Sequence, residues 1–448
     1  AENALTPDGW RRDVAVTFEG ETIAAVTPGA ERQGRVVPVL LPAPTNLHSH
    51  AFQRALAGLT EARGPSGRDS FWSWRAAMYR FLDILTPEDV EAITAFAQME
   101  MAEAGYSAVA EFHYLHHQPD GTAYAARAEM AARVAAAAAA TGLGLTLLPV
   151  LYQWGGCDRR PLGPGQRRVG ETPDGYAALI AAARDVVKTL PADTRLGTAP
   201  HSLRAVDETG LAAALALRAS GPLHLHIAEQ PAEIAEVQSH RGQRPVAWLL
   251  DTAELDAGWC LIHCTHMQPE ETLALAKTGA IAGLCPITEA NLGDGIFDGA
   301  RFFGAGGRFG VGTDSNVEIS LAGELRLLEY SQRLKTQDHA VLATSARSTG
   351  RTLWDNAAGA GAAAAARPSG QIAPGMLADL VVPATDHPDF EGRSGDAILD
   401  TWIFSGAGAG VEQLWSAGRH IVQDSAHVAR APITAAYRAV MRKLRASL

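Results

Sequence analysis

The chain has 448 residues, a length normal for one large α/β domain with an appendage, and its 47% hydrophobic and 19% charged residues are typical of a globular protein. Its net charge of −11, with no basic tract, argues against a nucleic-acid partner, and no apolar run is long enough to predict a membrane span. Four scattered cysteines do not suit a disulfide framework and the first ten residues do not resemble a signal peptide, so we expect a cytoplasmic location.

The first elements along the chain are two short β-like segments, 13–18 and 22–26, whose spacing predicts a hairpin. Beyond them, apolar runs alternate with alanine-rich segments typical of helices, and Thr86 and Thr172 stand where helix N-caps are expected. The apolar runs predicted to be strands are 36–50, 106–115, 143–153, 195–203, 222–229, 259–266, 280–289 and 309–316. Eight strands alternating with helices predict a (β/α)8 TIM barrel. An open doubly wound sheet is the alternative, although no glycine-rich phosphate loop follows the first strand.

Further β-like segments near the end of the chain cover residues 375–382, 401–404 and 413–422, and an amphipathic helix is predicted near 431–446. The β segments at the two ends are too few to form separate cores. We therefore expect one small β-sandwich-like domain formed by both chain termini. The predicted boundaries assign residues 1–40 and 370–448 to this composite domain, with the C-terminal helix, and residues 41–369 to the barrel.

Polar side chains recur at the C-terminal ends of the predicted strands. In a TIM barrel these ends surround one opening, where the chemistry takes place. They carry His48 and His50, His113 and Tyr114, Gln153, His201, His226 and Glu229, His263 and His266, Glu289, and Asp314. Ten of the 15 histidines lie on or just after these strands, so a shared site is a better explanation than scattered core histidines.

The first strand ends in a pair of histidines with ligand spacing. His48 and His50 are two residues apart, so in an extended strand both side chains point the same way. With His226 and Asp314 they form a ligand set suited to Zn²⁺ or a similar divalent ion, which lowers the pKa of a water ligand to about 7. Glu229 is a candidate to move protons, and His263 is a candidate to polarise the substrate or help activate the water.

Taken together, His-x-His on strand one, His-x-x-Glu on strand five, His on strand six and Asp on strand eight resemble the aminohydrolase branch of the amidohydrolase superfamily. The resemblance covers nearly the whole chain, including the split β-domain. Members with two metal ions usually carry a carboxylated lysine on strand four, whereas none of the four lysines here is near a strand end. The resemblance therefore implies one divalent ion, first of all Zn²⁺, with Fe²⁺ or Mn²⁺ as alternatives. It also implies a homodimer.

Within this branch, "NLHSHAFQRALAGL", "APHSLRAV", "HLHIAEQ", "CPITEANLGDGIF" and "GTDSNVEISL" are similar to the formimidoylglutamate deiminase family of bacterial histidine degradation. The implied reaction is hydrolysis of N-formimino-L-glutamate to N-formyl-L-glutamate and ammonia. In that reaction Asp314 accepts a proton from the attacking water with assistance from His263, and Glu229 protonates the imine nitrogen.

The two carboxylates of this small-molecule substrate need cationic partners, and arginine forks suit carboxylates. Arg204 lies just beyond the fourth strand, and Arg75 is predicted to lie in an aromatic loop after the first. Gln53, Tyr114 and His201 are expected to complete the pocket by hydrogen bonding. Two alternatives stay open: deamination of an amino-purine, pterin or triazine at the same metal site, or a barrel that has lost catalysis and serves as an assembly partner.

Overall fold

The computed structural model describes residues 1–61, 71–406 and 409–445. The strands are β1 (Asn3–Thr6), β2 (Gly9–Arg12), β3 (Ala15–Glu19), β4 (Thr22–Thr27), β5 (Val39–Pro42), β6 (Thr45–Ser49), β7 (Ala108–His113), β8 (Gly144–Leu151), β9 (Arg195–Leu196), β10 (Ala199–Pro200), β11 (Leu223–Ile227), β12 (Trp259–His263), β13 (Ile281–Leu284), β14 (Arg308–Val311), β15 (Leu380–Pro383), β16 (Val411–Ser416), β17 (Arg419–Gln423) and β18 (Ala426–His427). The helices are α1 (Phe71–Leu82), α2 (Pro87–Ala104), α3 (Glu129–Thr141), α4 (Pro173–Val187), α5 (Glu208–Leu217), α6 (Pro231–Arg241), α7 (Pro245–Thr252), α8 (Pro269–Ala276), α9 (Pro286–Leu292), α10 (Gly299–Gly304), α11 (Leu321–Thr336), α12 (Thr349–Ala364), α13 (Asp396–Phe404) and α14 (Arg430–Arg445). None of the described helices is both long enough and apolar enough to cross a bilayer.

Parallel strands close into a barrel with eight strand positions. β6, β7 and β8 pair in order, and β8 then pairs with the two short strands β9 and β10, which share the fourth position. A parallel bridge between Thr198 and Leu223 leads to the series β11, β12, β13 and β14. A bridge between Ser49 and Asp314 closes the ring beside β6. The prediction of a (β/α)8 barrel is confirmed, and the open sheet is excluded.

Side-chain caps fix where two of the barrel helices begin. The Thr86 hydroxyl accepts a hydrogen bond from the Asp89 N–H at 3.3 Å, and the Asp89 carboxylate accepts one from the Thr86 N–H at 3.0 Å. This reciprocal capping box starts α2. The Thr172 hydroxyl accepts from the Gly175 N–H at 3.0 Å at the start of α4. Both predicted N-caps are confirmed.

The first predicted strand, residues 36–50, consists of two strands that belong to different sheets. β5 ends at Pro42 and β6 begins at Thr45. Pro44 lies between them and has no amide hydrogen to donate to a strand ladder, so it interrupts the run. β5 pairs with β1 and β15, whereas β6 opens the barrel.

Strands from both ends of the chain form one sheet, in the order β18-β17-β16-β15-β5-β1-β2. The antiparallel pair β15–β5, with Val381 opposite Leu41, joins the C-terminal strands to the N-terminal ones. β3 and β4 form the predicted hairpin. One apolar core holds residues from both parts: Ala4, Val14, Ile23, Val37, Leu40, Ile372, Ala378, Leu380 and Val382. The composite β-domain is thus confirmed. Its boundaries at 40 and 370 stay a prediction, and the first of them falls within β5.

The prediction of a strand at 401–404 is wrong, because these residues end helix α13. Its buried residues Ile398, Leu399, Trp402 and Ile403 follow helical spacing, and the apolar pattern extends one turn before the segment that suggested a strand. Trp402 packs on Trp354 of α12, with ring centroids 5.0 Å apart. The final helix α14 begins one residue before the predicted start, and the predicted last residue, 446, lies outside the described residues.

Candidate active site

The structure brings all four predicted metal ligands together at the C-terminal end of the barrel. His48 and His50 lie at the end of β6, His226 lies on β11, and Asp314 follows β14. The Nε2 atoms of His48 and His50 lie 3.3 and 3.2 Å from Asp314 Oδ1, and His226 Nε2 lies 3.1 Å from His48 Nε2. Ligand atoms of the four side chains lie within 4.8 Å of one another, and all four residues are buried.

The orientation of the rings fits a divalent cation. His50 Nδ1 lies 2.9 Å from the Phe112 carbonyl, and His226 Nδ1 lies 3.0 Å from the His201 carbonyl. Since a carbonyl only accepts, both Nδ1 atoms carry the proton, and both Nε2 atoms carry a lone pair, which faces Asp314 in His50 and His48 in His226. Ligands bound at about 2.0–2.1 Å around a tetrahedral ion lie roughly 3.3 Å apart, close to the spacings observed here. Burial lowers the pKa of His48 to about 3, which keeps this imidazole in the neutral form that a metal ligand requires.

Asp314 is held at the seam where the barrel closes. Its N–H donates to the His48 carbonyl at 3.0 Å, and its carbonyl accepts from the His50 N–H at 2.9 Å. Burial opposes ionisation of Asp314, but the adjacent imidazoles of His48 and His50 outweigh burial and hold its pKa well below the usual value. Asp314 has φ 43°, a left-handed conformation that is uncommon for residues other than glycine and is found most often at functional sites.

Glu229 and His263, the predicted proton-handling residues, lie side by side. Glu229 Oε1 is 3.8 Å from His263 Nε2, and the other ring nitrogen, Nδ1, is 3.3 Å from Glu289 Oε1. Burial opposes protonation of His263, but Glu229, Glu289 and Asp314 together raise its pKa to about 10. Burial also raises the pKa of Glu229, and the nearby charge of Asp314 adds to this. His263 is therefore held between two carboxylates.

Two acidic residues near Glu229 were not singled out from the sequence. Glu233, in the first turn of α6, accepts hydrogen bonds from the N–H groups of Ala228 and Glu229 at 3.1 and 2.9 Å. It thereby stabilises Ala228 in a left-handed conformation with φ 54°. Burial, with the nearby charge of Glu229, raises the pKa of Glu233 to about 7. Asp294 accepts a hydrogen bond from the Gln230 side chain on the other side of this loop. An acidic residue four positions after Glu229, at a helix start, was the signal available in the sequence.

One cavity is lined by all five predicted substrate-binding residues, which are Gln53, Arg75, Tyr114, His201 and Arg204. Glu229, His263 and three of the four predicted metal ligands line the same cavity. Gln53 Nε2 donates to the Tyr114 hydroxyl at 2.8 Å. The His201 ring stacks on His226, with ring centroids 4.9 Å apart. The placement of Arg75 in a loop is wrong, because it lies on helix α1, where Met78, Phe81 and Leu82 are buried at helical spacing.

Two arginines converge on one tyrosine at the far wall of this cavity. Arg75 Nη2 donates to the Tyr152 hydroxyl at 2.7 Å, and Arg204 Nη1 donates to the same oxygen at 3.3 Å. Arg75 also donates to the Tyr79 hydroxyl, from Nε at 3.2 Å and from Nη2 at 3.0 Å. Burial opposes ionisation of Tyr152, but the two guanidinium groups lower its pKa to about 8. Neither Tyr79 nor Tyr152 was among the site residues predicted from the sequence.

Several other polar strand ends do not reach the cavity. His113 is buried beside His116, with ring centroids 5.2 Å apart, because the alternation of β7 directs Phe112 toward His48 and His226 instead. The Gln153 carbonyl oxygen Oε1 accepts from the Asp207 N–H at the start of α5. His266 contacts the Asp294 carbonyl at 2.8 Å.

Comparison with known proteins agrees with this geometry. The family model described as "Amidohydrolase family" matches residues 39–421. A formimidoylglutamate deiminase from Pseudomonas aeruginosa is 45% identical over 432 residues, which is 95% of each chain. A crystal structure of an amidohydrolase from Brucella melitensis, 45% identical, has a TM-score of 0.95 and covers 99% of this chain and 98% of that chain. An adenosine deaminase from Xanthomonas campestris, solved with bound zinc, shares the fold at 21% identity, with a TM-score of 0.82 and coverage of 99% and 97%. The chain belongs to the amidohydrolase family.

Proposed function

We propose that this chain is a metal-dependent hydrolase that converts N-formimino-L-glutamate and water to N-formyl-L-glutamate and ammonia, a step of histidine degradation. The observation that carries the proposal is that one cavity holds two sets of residues. The buried ligand cluster lies there with the Glu229–His263 pair, and Arg75 and Arg204 converge on Tyr152 in the same cavity. The relative from Pseudomonas aeruginosa, 45% identical over nearly the whole chain, is a formimidoylglutamate deiminase.

The proposed cofactor is one divalent ion held by His48, His50, His226 and Asp314. Zn²⁺ is the first candidate because three imidazoles and a carboxylate suit it, with Fe²⁺ or Mn²⁺ as alternatives. When bound, such an ion supplies Lewis acidity that lowers the pKa of a water molecule to about 7. None of the four lysines is among the described residues that line the cavity, which supports a single ion rather than a lysine-bridged pair.

The side chains of this site are suited to moving protons in the reaction. Both protons of the attacking water must end on the nitrogen that leaves as ammonia, so the site has to accept protons near the water and return them near that nitrogen. We assign Asp314 as the acceptor, assisted by His263. Glu229 is the proposed donor, since it lines the cavity 3.8 Å from His263 and burial raises the pKa of its carboxyl group.

The two arginines are the proposed partners of the substrate's carboxylates. A guanidinium fork binds a carboxylate through two parallel hydrogen bonds, and burial of Arg204 strengthens such a contact. Gln53, Tyr114 and His201 would complete the pocket with hydrogen bonds. The homodimeric state and the cytoplasmic location stay predictions.

The test is ammonia release from N-formimino-L-glutamate by the purified, Zn²⁺-replete protein, with Glu229→Ala as the control. Turnover by the wild type that the variant lacks supports the proposal. Turnover no higher than that of the variant rejects it. Metal analysis after mild purification, before Zn²⁺ is added, addresses the inactive-barrel alternative, which predicts no bound ion.

Deamination of an amino-heterocycle at the same proposed metal site is the second candidate, and the zinc-bound adenosine deaminase shares the fold of this chain. Tyr79, Tyr114 and Tyr152 give the cavity an aromatic component that such a ring could contact. Only the first function needs arginine side chains to bind substrate carboxylates. If Arg204→Gln leaves formiminoglutamate turnover intact while a purine, pterin or triazine is deaminated, the second function replaces the first.

A further inference from the structure

The hydroxyl oxygen of Tyr152 lies at the meeting point of three N–H donors. Arg75 Nη2 lies 2.7 Å away, Gln166 Nε2 lies 2.9 Å away, and Arg204 Nη1 lies 3.3 Å away. The tyrosine is 1% exposed, so solvent does not reach its hydroxyl oxygen. A phenolic oxygen has only two lone pairs, and two of the three donors belong to cations. The Tyr152 hydroxyl therefore holds two guanidinium groups side by side at one point of the cavity.

We propose that Tyr152 is a specificity-determining residue that aligns Arg75 and Arg204 on one carboxylate of the substrate. The inference rests on the proposed function and adds a residue and a binding mode to it. A carboxylate has four acceptor positions and one negative charge, so it can bind both of the guanidinium groups that Tyr152 holds together. The Tyr152 O–H can then donate to the carboxylate as well.

The surroundings of Tyr152 fix the position of its hydroxyl. Gln166 is held at its other end, because its Oε1 accepts from the Gly163 N–H at 2.9 Å. The Tyr152 ring packs on His201, with ring centroids 4.5 Å apart. The fixed oxygen restrains two long arginine side chains before a ligand binds. Less conformational entropy is therefore lost on binding.

The position of this oxygen also suits the length of the substrate. His201 lies between Tyr152 and the predicted metal ligand His226, with centroid distances of 4.5 and 4.9 Å. The proposed carboxylate site at the Tyr152 hydroxyl and the metal-ligand end of the cavity are thus separated by one imidazole ring. An acyclic substrate that carries a carboxylate a few bonds from the formimino carbon can reach both.

The experiment compares the wild type with Tyr152→Phe, using N-formimino-L-glutamate as the substrate and glutarate as a competitive inhibitor with two carboxylates and no formimino group. Loss of the aligning oxygen should raise both KM and the glutarate Ki by about tenfold or more, with kcat within about threefold of the wild type. Tyr176→Phe is the matched control: the buried Tyr176 hydroxyl donates to the Pro149 carbonyl at 2.9 Å and does not line the cavity. It should leave KM and Ki unchanged.

An unchanged glutarate Ki in Tyr152→Phe, or a loss confined to kcat, overturns the inference. If Tyr152→Phe does not fold, as judged by circular dichroism, Gln166→Leu decides, with an expected rise in Ki of about threefold. An unchanged Ki in that variant overturns the inference too. Failure of the wild type to release ammonia rejects the proposed function, whereas direct glutarate binding, measured by calorimetry in place of inhibition, still tests the carboxylate site by itself. Absence of glutarate competition in the wild type counts against the inference.

Discussion

His226 Nε2 and His48 Nε2 face each other 3.1 Å apart across the mouth of the barrel, although they come from strands 178 residues apart in the sequence. The Nδ1 proton of His226 is engaged by the His201 carbonyl, so its Nε2 presents a lone pair to His48. Burial lowers the pKa of both histidines, so sharing an extra proton is unfavourable. A divalent cation beside both nitrogens, with Asp314 and His50 as further ligands, gives this arrangement a physical reason.

Removal of one of these imidazoles should therefore remove the ion. His48→Ala is expected to lower the affinity for Zn²⁺ by more than about 100-fold and to abolish ammonia release, because a direct ligand matters at least as much as an outer partner. The measurement is metal content after dialysis against a weak chelator. His224→Gln is the matched control, since His224 lies on the same strand as His226 but bonds to the Ala364 carbonyl at 2.8 Å. Retention of a full complement of metal by His48→Ala contradicts the assignment.

The Glu229 loop should depend on Glu233. In Glu233→Ala, the buried Ala228 N–H and the partly buried Glu229 N–H lose their acceptor, and Ala228 keeps its left-handed conformation without support. We expect the free energy of unfolding to fall by about 2–4 kcal/mol, because each unsatisfied buried donor costs about 1–3 kcal/mol. Displacement of Glu229 should lower kcat by at least about tenfold.

Urea unfolding and steady-state kinetics check both effects, and Glu271→Ala separates them. Glu271 is a buried carboxylate that accepts from the Gln268 N–H at 2.7 Å and the Ala247 N–H at 3.2 Å, away from the cavity. Both variants should lose stability, but only Glu233→Ala should lose kcat. Equal kcat values in the two variants mean that Glu233 does not position Glu229.

The sequence predicted the parts of the site that depend on local spacing. His-x-His on a strand directs both rings to one side whatever the remaining fold, and the C-terminal ends of barrel strands meet at one mouth. His48, His50, His226 and Asp314 were therefore identifiable before their distances were known. The same reasoning expected His113 at the shared site, but its side chain does not reach the cavity. Strand alternation sends only one of two adjacent residues inward, and the sequence alone did not show that Phe112 takes that place.

Residues whose position depends on how one element packs on another could not be predicted in this way. Glu233 becomes relevant only because α6 starts directly after the Glu229 loop and turns its first carboxylate back to that loop. Tyr152 follows a strand like several other residues, and only the packing of α1 brings Arg75 to it. The strand expected at 401–404 failed for a similar reason, since contact with α12 stabilises a helix there.

The junction between the barrel and the terminal sheet should respond to acid through Asp193. This buried carboxylate bonds to Arg419 of β17 at 2.9 Å and to Arg367, after α12, at 2.9 Å. Burial opposes its ionisation, but the hydrogen bond from Arg419 and the charge of Arg367 outweigh burial and hold its pKa below the ordinary value of 3.8. Since the folded-state pKa is the lower one, this stabilisation is complete above pH 3.8 and is lost as the pH falls through the folded-state pKa.

Asp193→Asn should accordingly lower the free energy of unfolding at pH 7 by about 3 kcal/mol, and its difference from the wild type should shrink as the pH falls below 4 or so. Urea unfolding at a series of pH values measures this. Asp185→Asn, which removes an exposed carboxylate paired with Lys188, should have no measurable effect. A difference between wild type and Asp193→Asn that stays constant across the pH range would show that ionisation of Asp193 does not stabilise the fold.

Titration of the metal-free protein with Zn²⁺, while ammonia release from N-formimino-L-glutamate is recorded, tests most directly whether four converging ligands hold the one ion on which hydrolysis depends. Activity should be absent without metal, rise linearly and reach its plateau at one ion per chain. Full turnover by the metal-free protein, or a plateau that requires two ions per chain, would contradict the account.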